Sequence, residues 1–421
     1  MKTTEAGEAG AASSLLSAAA VRQRCGMVFE AGVAGKLAHF EVRLDRLDET
    51  AKFVAETIQL NYPSLKVPFH SRWRHFVIEG QDRWQGAVDA GDISKDPHER
   101  ARQRFELAIT SVLLDAGAGP DWRWAEPIAH GNGNAKWLHV GRSEGLALAS
   151  FNAWQRGYFS SRLDDPRRAD AEGLCSFSSD ELAKAFLVRP DNPLDGLEGR
   201  SALLNRLGHA IVARPDLFGA EGRLGGLFDT LARRAVGGKL PAPAILSLLL
   251  DALGPIWPGR ISLDGINLGD TWRHPAVVAR GATNGLVPFH KLSQWLSYSL
   301  IEPLQEAGIA VVDIDGLTGL AEYRNGGLFV DHGVIEPRSP SLLERDHHPG
   351  DEPIVEWRAL TVVLLDRIAP LVRSRLGVTA EDMPLASVLE GGTWSAGRRI
   401  AKQKRADGGP PVRIISDGSV F

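Results

Sequence analysis

The segment Leu317–Asp331, LTGLAEYRNGGLFVD, decides how the rest of the chain is read. A carboxylate (Glu322), a phenol (Tyr323) and a guanidinium (Arg324) stand side by side. The flexible Asn325-Gly326-Gly327 and a second acid, Asp331, follow at once. Adjacent acid, hydroxyl and base on a glycine-punctuated turn cost stability, and such turns often serve a ligand. Leu328–Val330 reads as a short strand leaving the turn. The flanks change to the helical period: PFHKLSQWLSYSLIEPL (Pro288–Leu304) ahead, EWRALTVVLLDRI (Glu356–Ile368) behind.

Further out, helical signals dominate. Asp96-Pro97-His98-Glu99 is a capping sequence with Pro at the first helical position, leading to an apolar face from Ala101 to Leu113 that ends by Gly117. Ser178–Glu181 opens another helix. Apolar spacing predicts more over 50–59, 143–155, 200–212, 224–236, 244–253 and 289–306, the last kinked or shortened by Pro303. A helix over 354–376 should close at Gly377 and bend at Pro370. Strand signals are few: Ile309–Val312, and Val412–Ile415 with an Asp417-Gly418 turn. The expected fold class is mainly α with a few short strands. Gly254-Pro255 and Trp257-Pro258-Gly259 divide a longer N-terminal region, 1–255, from a C-terminal region, 256–421, with a soft boundary. Ser339–Glu352 reads as an exposed loop with His347-His348 solvated.

Composition narrows the function. At 421 residues the chain can bury a sizeable core. A net charge of −4 argues against general nucleic-acid binding, which calls for a basic excess. The two cysteines, Cys25 and Cys175, exclude a disulfide framework or a cysteine-built zinc site and suit a reducing cytoplasm. No uncharged apolar run approaches the roughly 18 residues that span a bilayer. Ala11–Val21 reads as an N-terminal helix. Eleven tryptophans accompany only four tyrosines, and several stand beside Arg or His: Trp73-Arg74-His75, Trp122-Arg123-Trp124, Trp272-Arg273-His274, Trp357-Arg358. Such pairs frame a flat or anionic ligand, or fill a core with Arg laid over the ring.

Familiar motifs are missing. There is no Gly-rich phosphate loop followed by Lys-Ser/Thr, no G-x-S-x-G elbow and no His-Glu-x-x-His, and Gly131-Asn132-Gly133 lacks the glycine that opens a dinucleotide-binding helix. Gly196–Ser201 reads as a loop-to-helix join. The basic run Arg398–Arg405 reads as a solvated face, from which Trp394 and Arg398 could close a phosphate pocket. No metal or cofactor is expected.

Two resemblances meet at the opening segment. Through PFHSRWRHF (Pro68–Phe76), WRHP (Trp272–Pro275), HKLSQWLSYSLIEPL, LTGLAEYRNGGLFVD, EWRAL, EGGTWSAGRR (Glu390–Arg399) and the terminal DGSVF, nearly the whole chain resembles a uracil-catabolism protein family of the Urc-four/Urg-three type, long filed as a domain of unknown function. The C-terminal part also resembles queuosine-nucleotide N-glycosidases, whose helical fold is related to helix-hairpin-helix DNA glycosylases. Their Lys-x-x-Gln helix, Ala-Asp-Tyr-Arg turn and Glu-x-Arg helix correspond to Lys291 with Gln294, Ala321–Arg324, and Glu356 with Arg358. This chain departs in having Glu322 for Asp, and Asn325-Gly326-Gly327 where that family has Pro-Gln.

Together these resemblances imply an N-glycosidase of uracil catabolism that splits ribosylurea, or its 5′-phosphate, and frees urea. Its partner would be a small riboside or ribose phosphate, with neither nucleic acid nor membrane involved. The implied catalytic residues are Glu322 as the carboxylate facing the anomeric carbon, Asp331 as the foremost proton donor (ahead of Asp121 and Asp270), and Lys291. Arg324 and a helix starting nearby should keep Glu322 ionised. Arg273, Arg324 and Arg358 are candidates for a phosphate, and Trp73, His75, Trp272 and Tyr323 for walls. Arg74, His274, His290, Gln294 and Glu356 complete the expected substrate-binding set. The alternatives are a non-catalytic binding protein of the same pathway and, disfavoured by the acidic charge, a nucleic-acid repair protein.

Overall fold

The computed structural model describes residues 10–115, 117–129 and 135–415. The fold is mainly α. Its helices of nine residues or more are α1 (Ala18–Val33), α2 (Leu47–Asn61), α3 (Pro97–Leu113), α4 (Arg142–Gln155), α5 (Leu197–Ala213), α6 (Gly226–Arg234), α7 (Ala242–Leu253), α8 (Lys291–Glu306), α9 (Tyr323–Asp331), α10 (Glu352–Leu376) and α11 (Ser395–Lys404). Strands among the described residues form only two-stranded pairs. No helix there is long and apolar enough to cross a membrane.

Local chemistry sets the helix ends. Asp96 accepts the Glu99 amide at 2.7 Å with Pro97 at the first helical position, as its sequence predicts. Ser178 and Glu181 cap each other reciprocally. Gly377 ends α10 in the left-handed region, at φ 67°. Pro303 stays inside α8 without ending it. A proline has no N–H for the carbonyl four residues back, and that carbonyl, Ser299 O, instead accepts the Trp73 indole N–H at 2.7 Å.

The 25-residue α10 is the central strut. It buries Ile354 through Val362 almost continuously and packs against α1, α2 and α9. The N-terminal α1 is thus a core element. Helix α8 packs on α3 and α7, and Lys239–Pro241 pairs in parallel with Ala310–Val312. The larger of two hydrophobic clusters among the described residues runs from Ala18 to Val412, with residues from both sides of position 255.

Three local expectations change. Leu328–Val330 is helical, within α9, and Asn325-Gly326-Gly327 lies inside the same helix, across its first and second turns. The glycines give close approach there: a methyl on Gly326 would sit 2.7 Å from the Trp357 ring, and one on Gly327 3.0 Å from Pro411. Ser339–Glu352 is only partly an exposed loop. Asp346–His347 pairs in parallel with Arg413–Ile414, and His347 is buried with its Nε2 2.9 Å from Leu342 O. The Asp417-Gly418 turn, the terminal DGSVF and Gly131–Gly133 lie outside the described residues.

Candidate active site

Glu322 is the N-cap of α9. Its backbone is extended, and its carboxylate accepts two of the helix's free amides: Arg324 N at 2.7 Å and Asn325 N at 2.5 Å. The residue is only 8% exposed. Burial raises its pKa, while the two amides and the nearby Lys291 and His70 pull it back toward the charged form. Arg324 supplies its backbone amide rather than its charge. Its guanidinium turns away, donating to Gly408 O at 2.7 Å with Cζ 5.1 Å from the Tyr323 ring. Helix α11 crosses at Gly397, where any side chain would overlap the Arg324 carbonyl.

In front of Glu322 opens a cavity of about 410 Å³. Its acids are Glu322 and Asp115, and its cations are Lys291, Arg142 and Arg324. Asp115 lies just past α3, paired with the buried Arg72 at 3.1 Å. Its other oxygen is buried without a partner among the described residues. Lys291, the first residue of α8, has its pKa lowered by burial, against the opposing pull of Glu322 and Asp115. Trp295 lines the cavity one turn further along α8, and Trp394 lines it from α11's leading end.

Two histidines face the same space. His70 Nδ1 is 2.6 Å from Glu390 Oε2, both side chains being buried. Glu390 lies in a π-helical turn, Val388–Trp394, that runs into α11. Gly391 and Gly392 let that turn lie against Val67, Tyr62, Val54 and Ile58 without a clash. Such turns recur where a helix must aim a functional side chain. His75 packs edge-on to Trp295 and Trp394, and its pKa is pushed down to about 3, by burial first and then by Arg72.

Of the residues picked out in the sequence, the cavity gathers Glu322, Lys291, His75, Tyr323, Arg324 and Trp394. The others lie elsewhere, with other partners. Asp331, at the far end of α9, forms a two-pronged pair with Arg405, so it is not at hand to protonate a leaving group. Arg358 holds Asp270 through two 2.8 Å bonds, and Asp270 also takes the Trp272 indole and the Lys291 amide. That pairing holds the Asp270 carboxyl well below its usual range, even against burial. Glu356 is enclosed in the core, accepting the amides of His39 and Phe40 and facing His274 at 3.4 Å. Trp73 is covered by the Arg104 guanidinium, whose Cζ lies 3.8 Å from the ring centroid, and Arg74 pairs with Glu302 at 2.6 Å. His290 faces Leu15 O, Gln294 accepts the Thr318 amide, and Arg273 is exposed away from the cavity. Arg200 of the Gly196–Ser201 join donates to the carbonyls of Leu114 and Gly117, steadying the loop that carries Asp115.

Sequence reasoning passed over His70, Asp115, Arg142, Trp295 as a wall, and Glu390. His70 and Glu390 had a visible signal, His70 in the aromatic-rich PFHSRWRHF and Glu390 at the head of EGGTWSAGRR, both stretches that carry the family resemblance. Asp115 and Arg142 had none. A cluster whose ligand atoms could meet on a metal, His39, Glu352 and Glu356, lies apart from the cavity, and Glu356 there is already engaged by amides.

The family described as Protein of unknown function (DUF1688) matches residues 14–421. Protein urg3 of Schizosaccharomyces pombe is 37% identical over 414 residues, which is 97% of this chain and 98% of that protein. Uracil catabolism protein 4 of Lachancea kluyveri is 37% identical over 422 residues, 91% of this chain and 92% of its own length.

Proposed function

The chain belongs to the DUF1688 family, and from that premise we propose that it acts in uracil catabolism, hydrolysing the N-glycosidic bond of ribosylurea or ribosylurea 5′-phosphate to release urea. The observation that carries this reading is Glu322: a buried carboxylate, pinned by two helix amides, at the wall of a small-molecule cavity beside Lys291 and a His–Glu pair. The cavity volume suits a riboside.

Cutting both the N3–C4 and N1–C6 bonds of a uracil ring attached to a sugar releases its three-carbon piece and leaves urea on C1 of ribose, and the C1–N bond must then break. In that step the electron pair leaves with the urea nitrogen and C1 takes on oxocarbenium character. A fixed carboxylate beside C1 stabilises that charge, most strongly where water is excluded. Glu322 suits the task because its cap bonds fix the carboxylate before substrate arrives. The urea nitrogen needs a proton, since urea is a poor leaving group. His70 is the donor in this reading. Glu390 holds its Nδ1, and Nε2, which has no partner among the described residues, remains for the substrate. Water adds to C1 and returns its proton to the same ring, giving ribose (or its phosphate) and urea.

The test is incubation of the purified protein with ribosylurea and with its 5′-phosphate, scored for urea. Run in ¹⁸O-water, the label should enter the ribose and not the urea. Tight binding of either compound without urea release would refute hydrolysis and leave a binding protein of the same pathway.

A further inference from the structure

The cavity's charges do not balance. Arg142, Arg324 and Lys291 all line it, and none has a carboxylate within 4.0 Å among the described residues. Against them stand Glu322, which is satisfied by amides, and Asp115, whose charge is matched by Arg72 behind it. Glu144, the next acid along α4, is taken up by Arg398 at 3.3 Å.

The cations are also sorted by depth. Glu322 and His70 are buried, and Lys291 beside them is half-buried. Tyr323 is 36% exposed and Arg142 is exposed, which puts them at the mouth. Arg324 lies over the Tyr323 ring, and burial raises the pKa of that phenol while Arg324 and Arg142 pull against the rise. Arg142 further sits in the left-handed region, at φ 56°, which costs any residue with a Cβ. Nothing in the fold calls for an arginine there: its guanidinium has no hydrogen bond or ion pair among the described residues. A strained, cavity-facing cation with no partner among the described residues is placed at a cost to stability, as ligand-binding side chains often are.

We infer that the mouth of the cavity is a phosphate-monoester subsite, in which Arg142 and Arg324 beside Tyr323 take the 5′-phosphate of a ribosyl ligand whose anomeric end reaches Glu322. Guanidinium groups suit phosphate because their planar donors meet its oxygens in pairs. This rests on the reading that the cavity takes a riboside, and it selects the phosphorylated form over the free one.

The experiment is calorimetric titration of the full chain with ribose 5-phosphate, ribose and inorganic phosphate. Charge-assisted bonds of this kind should make ribose 5-phosphate bind about 10- to 100-fold tighter than ribose. Arg142→Gly should abolish most of that preference while keeping or raising the melting temperature, because glycine relieves the left-handed backbone. Equal binding of ribose and ribose 5-phosphate, or a preference that survives Arg142→Gly, overturns the subsite. A phosphate preference without urea release from ribosylurea 5′-phosphate supports the subsite and defeats only the hydrolysis reading. Urea release at equal kcat/KM from both forms defeats only the subsite.

Discussion

Gly397→Ala should damage the site by steric means alone. In α11 this residue faces the first turn of α9, where an added methyl would fall on the Arg324 carbonyl oxygen and 2.9 Å from its carbon. The obstacle is backbone, in a turn fixed by the Glu322 cap, so no side chain can swing aside. Overpacking of this kind costs up to about 3 kcal/mol. Alanine recovers about 1 kcal/mol over glycine through helix propensity. The net loss is then about 2 kcal/mol. With an unfolding entropy of about 2.1 cal/mol/K per residue, a chain of 421 residues loses roughly 2 °C in Tm. Gly199→Ala is the matched control, since Gly199 lies in α5 with no atom within 4 Å of an added Cβ. It should gain about 1 °C from propensity alone. Scanning calorimetry of both variants at one scan rate decides the matter. A Gly397→Ala protein melting at or above the parent would mean that α11 and α9 are not in the contact on which the placement of Glu322 depends.

Three further predictions concern charge. His75, pushed down to about 3 by burial and by Arg72, is neutral when folded, so the unfolded chain binds the extra proton between its ordinary value and that one. Its stabilisation is complete above pH 6.5 and is lost as pH falls, by about 2 kcal/mol at pH 5. His75→Gln should flatten the difference in Tm over that range, with Glu106, raised to about 7 by burial, contributing an opposite slope in both proteins. An unchanged acid slope would contradict this. Asp270→Asn removes the charged partner of both 2.8 Å bonds that hold the buried Arg358 and should cost about 3–5 kcal/mol, read as a lower Tm. If Arg358 served the substrate instead, Tm would hold and KM would rise. Asp331→Asn should keep urea release within about tenfold of the parent, well short of the hundredfold or larger loss from removing a transition-state contact. A loss of that larger size would return Asp331 to the mechanism.

The helices were legible because long apolar periodicities and caps such as Asp96 and Ser178 are local signals. What the sequence hid was tertiary. Asn325-Gly326-Gly327 looks like a turn because glycine is a poor helix former, yet the missing Cβ atoms are what let α9 touch Trp357 and Pro411. The Trp-Arg-His triplets suggested shared ligand walls, but neighbours in an extended strand point to opposite faces. In Thr271–Arg273, Trp272 turns to Asp270 while Arg273 goes to solvent. Arg358 looked available for a phosphate because its partner Asp270 lies 88 residues away. Glu322 was legible as the acid of the site, but the turn after it reads in sequence as leading to a strand where the chain forms α9, and its cation is Lys291 rather than the adjacent Arg324, since a side chain's sequence neighbour on a helix need not face the same way.

The most direct measurement is the turnover of ribosylurea 5′-phosphate by the parent protein, Glu322→Gln and Glu322→Asp, each shown to be folded by its melting curve. The parent should release urea, Glu322→Gln should fall by about two orders of magnitude or more, and Glu322→Asp should keep partial activity because it retains both the charge and the helix cap. Near-parental urea release by Glu322→Gln would contradict the role given to Glu322.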